Sequence, residues 1–159
     1  TTKKTKLTTC GRKPCTLPLA KELGLAERVR FLGPVAHGEL PILLNAADVF
    51  VLPSSSEGLA NAWVEALACG TPVVTTPIPG ALELITDPDW GRLAERDSGA
   101  IAAAIAELLA AQPQPERVQQ AVAGMSWQAN AAALVAHWRR LARIGAFARQ
   151  TLLALNLSF

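Results

Sequence analysis

The sequence has no tyrosine, one methionine and three cysteines, and no acidic residue follows Glu116. Each shortage excludes something. An odd set of cysteines (Cys10, Cys15 and Cys69) does not make a disulfide framework. A Cys-x4-Cys pair with no second pair and no nearby histidine is a poor zinc signal, so no metal or cofactor is expected. No run of about 18 or more apolar residues occurs, so no membrane span is expected. The basic start is not followed by an apolar h-region, which argues against a secretory leader. A reducing cytoplasm is therefore the expected compartment. A net charge of +2 is too small for a protein that binds nucleic acid through bulk positive charge, and no nucleic-acid partner is expected.

What is present points to a globular chain. Half of the 159 residues are hydrophobic, which excludes a disordered protein. The length suits one domain with a sizeable core. With 29 alanines, the packing is expected to be rich in helix. The charge is uneven. Residues 1–30 carry eight Lys and Arg against two acids, and residues 31–116 carry eleven acids against two Arg. From Arg117 onward there are five Arg and no acid. The chain opens on Thr1, and its natural start is expected to lie upstream.

Residues 1–16 show neither helical nor strand periodicity and read as a disordered basic arm. Regular patterning follows. A short helix is expected over 17–24, closed by Gly24 as its C′ residue. Arg28–Leu32 reads as a strand, and 38–47 as a helix with Leu40, Leu43, Leu44 and Ala47 on one face. Asp48–Leu52 is a nearly all-apolar strand, 59–69 an apolar helix, and Pro72–Thr75 a third strand. Strand and helix alternating through tight loops predict a parallel sheet covered on both faces. A helical turn at 81–85, a weak strand near 91–94 and a helix capped by Asp97 or Ser98 come next. The last long helix starts at Ser126. Trp127, Ala131, Leu134, Val135, Trp138, Leu141 and Ala142 fall on one face of it. Residues 17–143 read as the folded domain and 144–159 as an apolar and basic extension.

In open α/β sheets ligands bind beyond the carboxyl ends of the strands. Loops 33–37, 53–58 and 76–80 lie there. The second runs from strand to helix through Ser54, Ser55, Ser56, Glu57 and Gly58. The N–H groups of Gly58, Leu59 and Ala60 are expected to open the helix and to suit a phosphate. Glu65 is the only charged residue between Gly58 and Leu82. Two turns into that helix, it is placed to face the same cleft, and a carboxylate accepts two hydroxyl donors of a sugar or ribose diol. A plainer reading stands beside this one. Ser54 and Glu57 have the spacing of a capping box, and Glu65 fits a solvated stripe. Trp63 reads as core, and His37 and His137 as surface residues.

The segments RVRFLGPV (28–35), ELPILLNAADVFVLPSSSEGLANAWVEALACGTPVV (39–74) and SWQANAAALVAHWRRL (126–141) resemble one known family. It comprises the group-1, or family-four, retaining glycosyltransferases of GT-B fold, and the likeness is to their donor-binding domain. Its most specific part is the E-x7-E motif, Glu57 to Glu65, inside its A-D-x4-P-S and E-A-x-A-x-G-x-P-V-V context. The resemblance implies an α/β, Rossmann-like parallel sheet with flanking helices and a helical C-terminus, as an incomplete half of a GT-B fold without the N-terminal acceptor domain. It implies hexosyl transfer with retained configuration from a nucleotide sugar such as a UDP- or GDP-sugar, and no obligatory metal. It assigns the ribose hydroxyls to Glu65, the donor sugar and reacting centre to Glu57, the diphosphate to the N–H groups of Gly58 and Leu59, and the border of the nucleobase to Val35. The acceptor, whether glycan, lipid or small molecule, is not implied.

Three other readings compete. The chain fits a non-catalytic nucleotide-binding module or a truncated gene product. It also fits a nucleotide-sugar epimerase of GT-B fold. The third is peripheral membrane contact at the inner face, through an apolar side of 134–155 interspersed with Arg139, Arg140, Arg143 and Arg149. Against this last reading, the regular apolar face favours a helix packed on its own domain.

Overall fold

The computed structural model describes residues 7–9 and 16–154, with side chains over 18–143. By internal contacts the chain divides between Ala121 and Val122 into two units.

In the first unit, strand β1 (Leu7–Thr9) leads to helix α1 (Thr16–Glu22) and strand β2 (Val29–Phe31). A 3-10 turn at His37–Glu39 runs into α2 (Leu40–Asn45). Strand β3 (Phe50–Leu52), helix α3 (Asn61–Ala68) and strand β4 (Val73–Thr75) follow. Then come α4 (Pro79–Leu84), β5 (Gly91–Leu93), α5 (Ser98–Ala111) and α6 (Pro115–Gln119).

All strand pairs are parallel, as the alternation predicts. They form two sheets, a β1-β2 pair and a β3-β4-β5 sheet. In the larger sheet Phe50, Val51 and Leu52 stand opposite Val73, Val74 and Thr75, which in turn stand opposite Gly91, Arg92 and Leu93. Strand β4 is buried on both faces because helices cover both. Helix α5 packs on β4 and β5, with Val74, Ala94, Ala104 and Leu108 forming a buried cluster. Helix α3 packs on β3 and β4 and carries the fully buried Trp63, Ala66 and Leu67.

Two differences from the sequence reading stand out. Leu7–Thr9, read as part of a disordered arm, form a strand whose backbone is satisfied by pairing with Val29–Phe31. The signal was missed because three residues are too few to display a period of two. Cys10, Cys15 and the rest of that arm lie outside the described residues. Strand β2, expected beside the following strands in one sheet, pairs with β1 instead.

The second unit contains α7 (Trp127–Ala154), which runs on without a break through residue 143. The Ser126 hydroxyl accepts from the Ala129 N–H at 3.0 Å, so the expected start holds. Its apolar stripe is exposed: Trp127 is 85% and Trp138 62% accessible, with Leu134, Val135 and Leu141 exposed as well. No helix among the described residues is long and apolar enough to cross a membrane.

Candidate functional site

The carboxyl ends of β3 and β4 place two loops side by side. Strand β3 stops at Pro53, whose ring removes a ladder donor. The Thr75 hydroxyl donates to the Leu52 carbonyl at 2.8 Å, which pins the end of β3 to the end of β4. From Ser55 to Leu59 the chain is exposed. Among the described residues none of these five makes a hydrogen bond, so the N–H groups of Gly58 and Leu59 are available to an anion.

Helix α3 starts at Asn61, later than the sequence reading had it. Ala60 is its N-cap, in extended conformation and with no side-chain capping bond. The N–H groups of Gly58 and Leu59 therefore belong to the turn before the helix and not to its first turn. This also removes the capping-box reading. Ser54 and Glu57 both precede the cap residue, and neither bonds a helix N–H.

Glu65 lies one turn into α3, not two. At 100° per residue it falls on the side away from Trp63, Ala66 and Leu67, near Asn61 and Ala68. Asn61 and Ala68 are exposed, but Glu65 is only partly so. A simple solvated stripe would leave all three open. Its carboxylate acts on the next turn. Burial and, after it, the Glu65 charge push the Cys69 thiol above its ordinary range. Glu57 is exposed in the loop.

Val35 lines a hollow of about 340 Å³ with Leu32, Pro34, Glu39, Ile42 and Leu43. This hollow sits beyond the carboxyl end of β2, and one wall is α2, which packs against α3. The sequence reading singled out Val35 alone. Glu39 comes from the 3-10 turn and Leu43 from α2, while Val35 lies in the loop before both, so no helical interval in the sequence links the three. A second hollow of about 290 Å³ opens at the opposite, amino edge of the sheet, beside Asp48, Cys69, Thr71 and Gln112. Trp63 is core, as expected, and its indole N–H has no acceptor. His37 and His137 are exposed.

Comparison with known proteins matches residues 1–125 to the family model described as glycosyl transferases group 1. The chain is 40% identical over 129 residues to D-inositol 3-phosphate glycosyltransferase of Mycobacterium bovis, covering 77% of this chain and 27% of that protein. The protein of that name in Mycobacterium tuberculosis matches equally. The chain thus spans about a quarter of the length of these curated relatives. Among solved structures, sucrose-phosphate synthase from Thermosynechococcus elongatus aligns with a TM-score of 0.73 and 30% identity, over 87% of this chain and 39% of that one. WaaG, a glycosyltransferase involved in lipopolysaccharide biosynthesis, aligns with a TM-score of 0.63 and 25% identity, over 77% and 34%.

Proposed function

Because the chain belongs to the group 1 glycosyl transferases and has the α/β fold of their GT-B structures, we propose that it carries the donor side of a retaining hexosyl transfer from a nucleotide sugar. One observation carries this reading. The E-x7-E pair sits on a strand–loop–helix unit whose loop has unpaired backbone donors and whose helix holds a single, partly buried carboxylate. Glu65 takes the ribose hydroxyls, each donating to a carboxylate oxygen. Gly58 and Leu59 donate their N–H groups to the diphosphate. Glu57 contacts the donor sugar at the reacting centre. Val35 and the apolar wall of its hollow border the nucleobase.

Glu65→Ala is the direct test. Removing two charge-assisted hydrogen bonds lowers nucleotide-sugar affinity by about one to two orders of magnitude. Calorimetric titration with a UDP-hexose and a GDP-hexose measures it, and unchanged affinity for both would remove the ribose role.

The isolated chain is expected to show no turnover. No Lys or Arg occurs between Pro53 and Asp89 to meet the diphosphate charge. Backbone dipoles contribute about 0.3–2 kcal/mol per charge, too little for tight donor binding. Sugar transfer by the purified 159-residue chain would overturn this. The curated relatives are named for D-inositol 3-phosphate, which is the first acceptor to offer in that assay.

A second reading is favoured by α7. Its exposed stripe of Trp127, Leu134, Val135, Trp138 and Leu141, with exposed Arg139, Arg140 and Arg143 and no acid, suits peripheral contact with an anionic membrane surface.

A further inference from the structure

We infer that Thr76, just after β4, and Gly80, in the first turn of α4, are positioning residues that hold the Gly58–Leu59 peptide where the donor diphosphate needs it; this rests on the donor-site reading above. The question they answer is what holds an exposed loop with no hydrogen bonds of its own between Ser55 and Leu59. Two contacts do so, and both come from a neighbour that is itself anchored.

The first is a hydroxyl tether. The β3–β4 ladder ends at Leu52 opposite Thr75. One step further, the Ser54 carbonyl needs a donor, and residue 77 is a proline without an N–H. The Thr76 side chain, 3% accessible, supplies the missing proton: its hydroxyl donates to the Ser54 carbonyl. A part-buried carbonyl left without that partner would carry part of the desolvation penalty.

The second is a close approach of two backbones. A Cβ placed on Gly80 would overlap the Gly58 carbonyl and stand 3.1 Å from the Leu59 nitrogen. The obstruction is backbone, which has no flexible end to swing aside. Gly80 does not need to be glycine for its own φ, which is not positive. Its lack of a side chain is explained by the approach alone. Thr76 thus fixes the start of the loop at Ser54, and Gly80 seats its far end at Gly58. The Gly58 and Leu59 N–H groups are left aimed by contacts they do not make themselves.

The test compares Thr76→Val, Thr76→Ser and Gly80→Ala in the whole chain. Backbone amide order parameters over 54–60 are read by NMR relaxation without ligand, and affinity for a UDP-hexose and a GDP-hexose is read by titration. Thermal melting reports whether each variant folds. Thr76→Val keeps the shape and loses the hydroxyl, so the order parameters over 54–60 fall from about 0.85 to below about 0.6 and donor affinity falls about tenfold, while the order parameters of α5 stay unchanged. Thr76→Ser restores both. Gly80→Ala, which must push the Gly58–Leu59 peptide away, lowers affinity further than Thr76→Val. A Thr76→Val chain with wild-type order parameters over 54–60 overturns the proposal whatever the nucleotide does. Lower order parameters restored by serine, in a chain that binds neither nucleotide sugar even as wild type, support the tether and sink the donor-site reading instead.

Discussion

Cys69, the C-cap of α3, sits one turn after Glu65, and its thiol reports on that carboxylate. Burial first, and the Glu65 carboxylate second, raise the thiol pKa. The folded chain then holds the thiol proton more tightly than the unfolded chain does. Below the ordinary thiol pKa of about 8.5 both states keep the proton, and this contribution to stability is complete. It is lost as pH rises through the folded pKa, so stability falls on the alkaline side. Glu65→Gln removes the charge and keeps the burial. The pH profile of Cys69 alkylation, read with Cys10 and Cys15 replaced by serine, is expected to move to lower pH. A profile that does not move would mean that the carboxylate does not face the thiol. The pair was only half legible in the sequence. Glu65 stood out as a lone charge in an apolar helix. Cys69 read merely as a residue in an apolar run, because its environment depends on where α3 begins.

At the scale of elements, boundaries follow from caps and special backbone angles more than from hydrophobic periods. Asp97 was legible as a cap because only a short acceptor before an apolar run satisfies the first free N–H groups. Its carboxylate accepts from Gly99 and Ala100, both at 2.9 Å. Asp97→Ala is expected to lower stability by about 1 kcal/mol, read by thermal or denaturant unfolding, and to leave nucleotide-sugar binding untouched. The start of α3 was not legible. Ser54 and Glu57 offered a capping-box spacing, yet the helix takes an alanine as its cap. The backbone around Ser54 is claimed by tertiary contacts to β4, and a local pattern does not disclose those. The end of α3 was legible at Gly70. There φ is +80°, and a Cβ would stand 2.7 Å from that of Pro115. Gly70→Ala therefore meets strain and overlap together, and an unfolding free energy lower by about 2–4 kcal/mol is expected.

At the scale of the whole molecule the charge is segregated. The acidic stretch 31–116 holds both glutamates of the candidate site, and nothing acidic follows Glu116. Over 127–143 of α7 the large apolar side chains fall within about a third of the helix circumference, and Arg139, Arg140 and Arg143 on the remainder. The sequence alone predicted this amphipathic pattern but not that the stripe is exposed, because a period of 3.6 marks an apolar face without naming what lies against it. A helix with tryptophan on one side and arginines but no acid on the other gains from an anionic lipid surface twice. Buried apolar area adds to an attraction of about 1 kcal/mol per Arg near the surface. The chain is therefore expected to sediment with vesicles of phosphatidylglycerol and phosphatidylcholine and not with phosphatidylcholine alone. Tryptophan emission should shift to the blue on binding, and high salt should release most of the protein. Trp127→Ser with Trp138→Ser should weaken binding to the mixed vesicles, and Arg139→Gln with Arg143→Gln should abolish the preference for the anionic lipid. If the wild-type chain ignores both vesicles and self-associates instead as its concentration rises, the apolar stripe is a protein-covered face and the membrane reading falls.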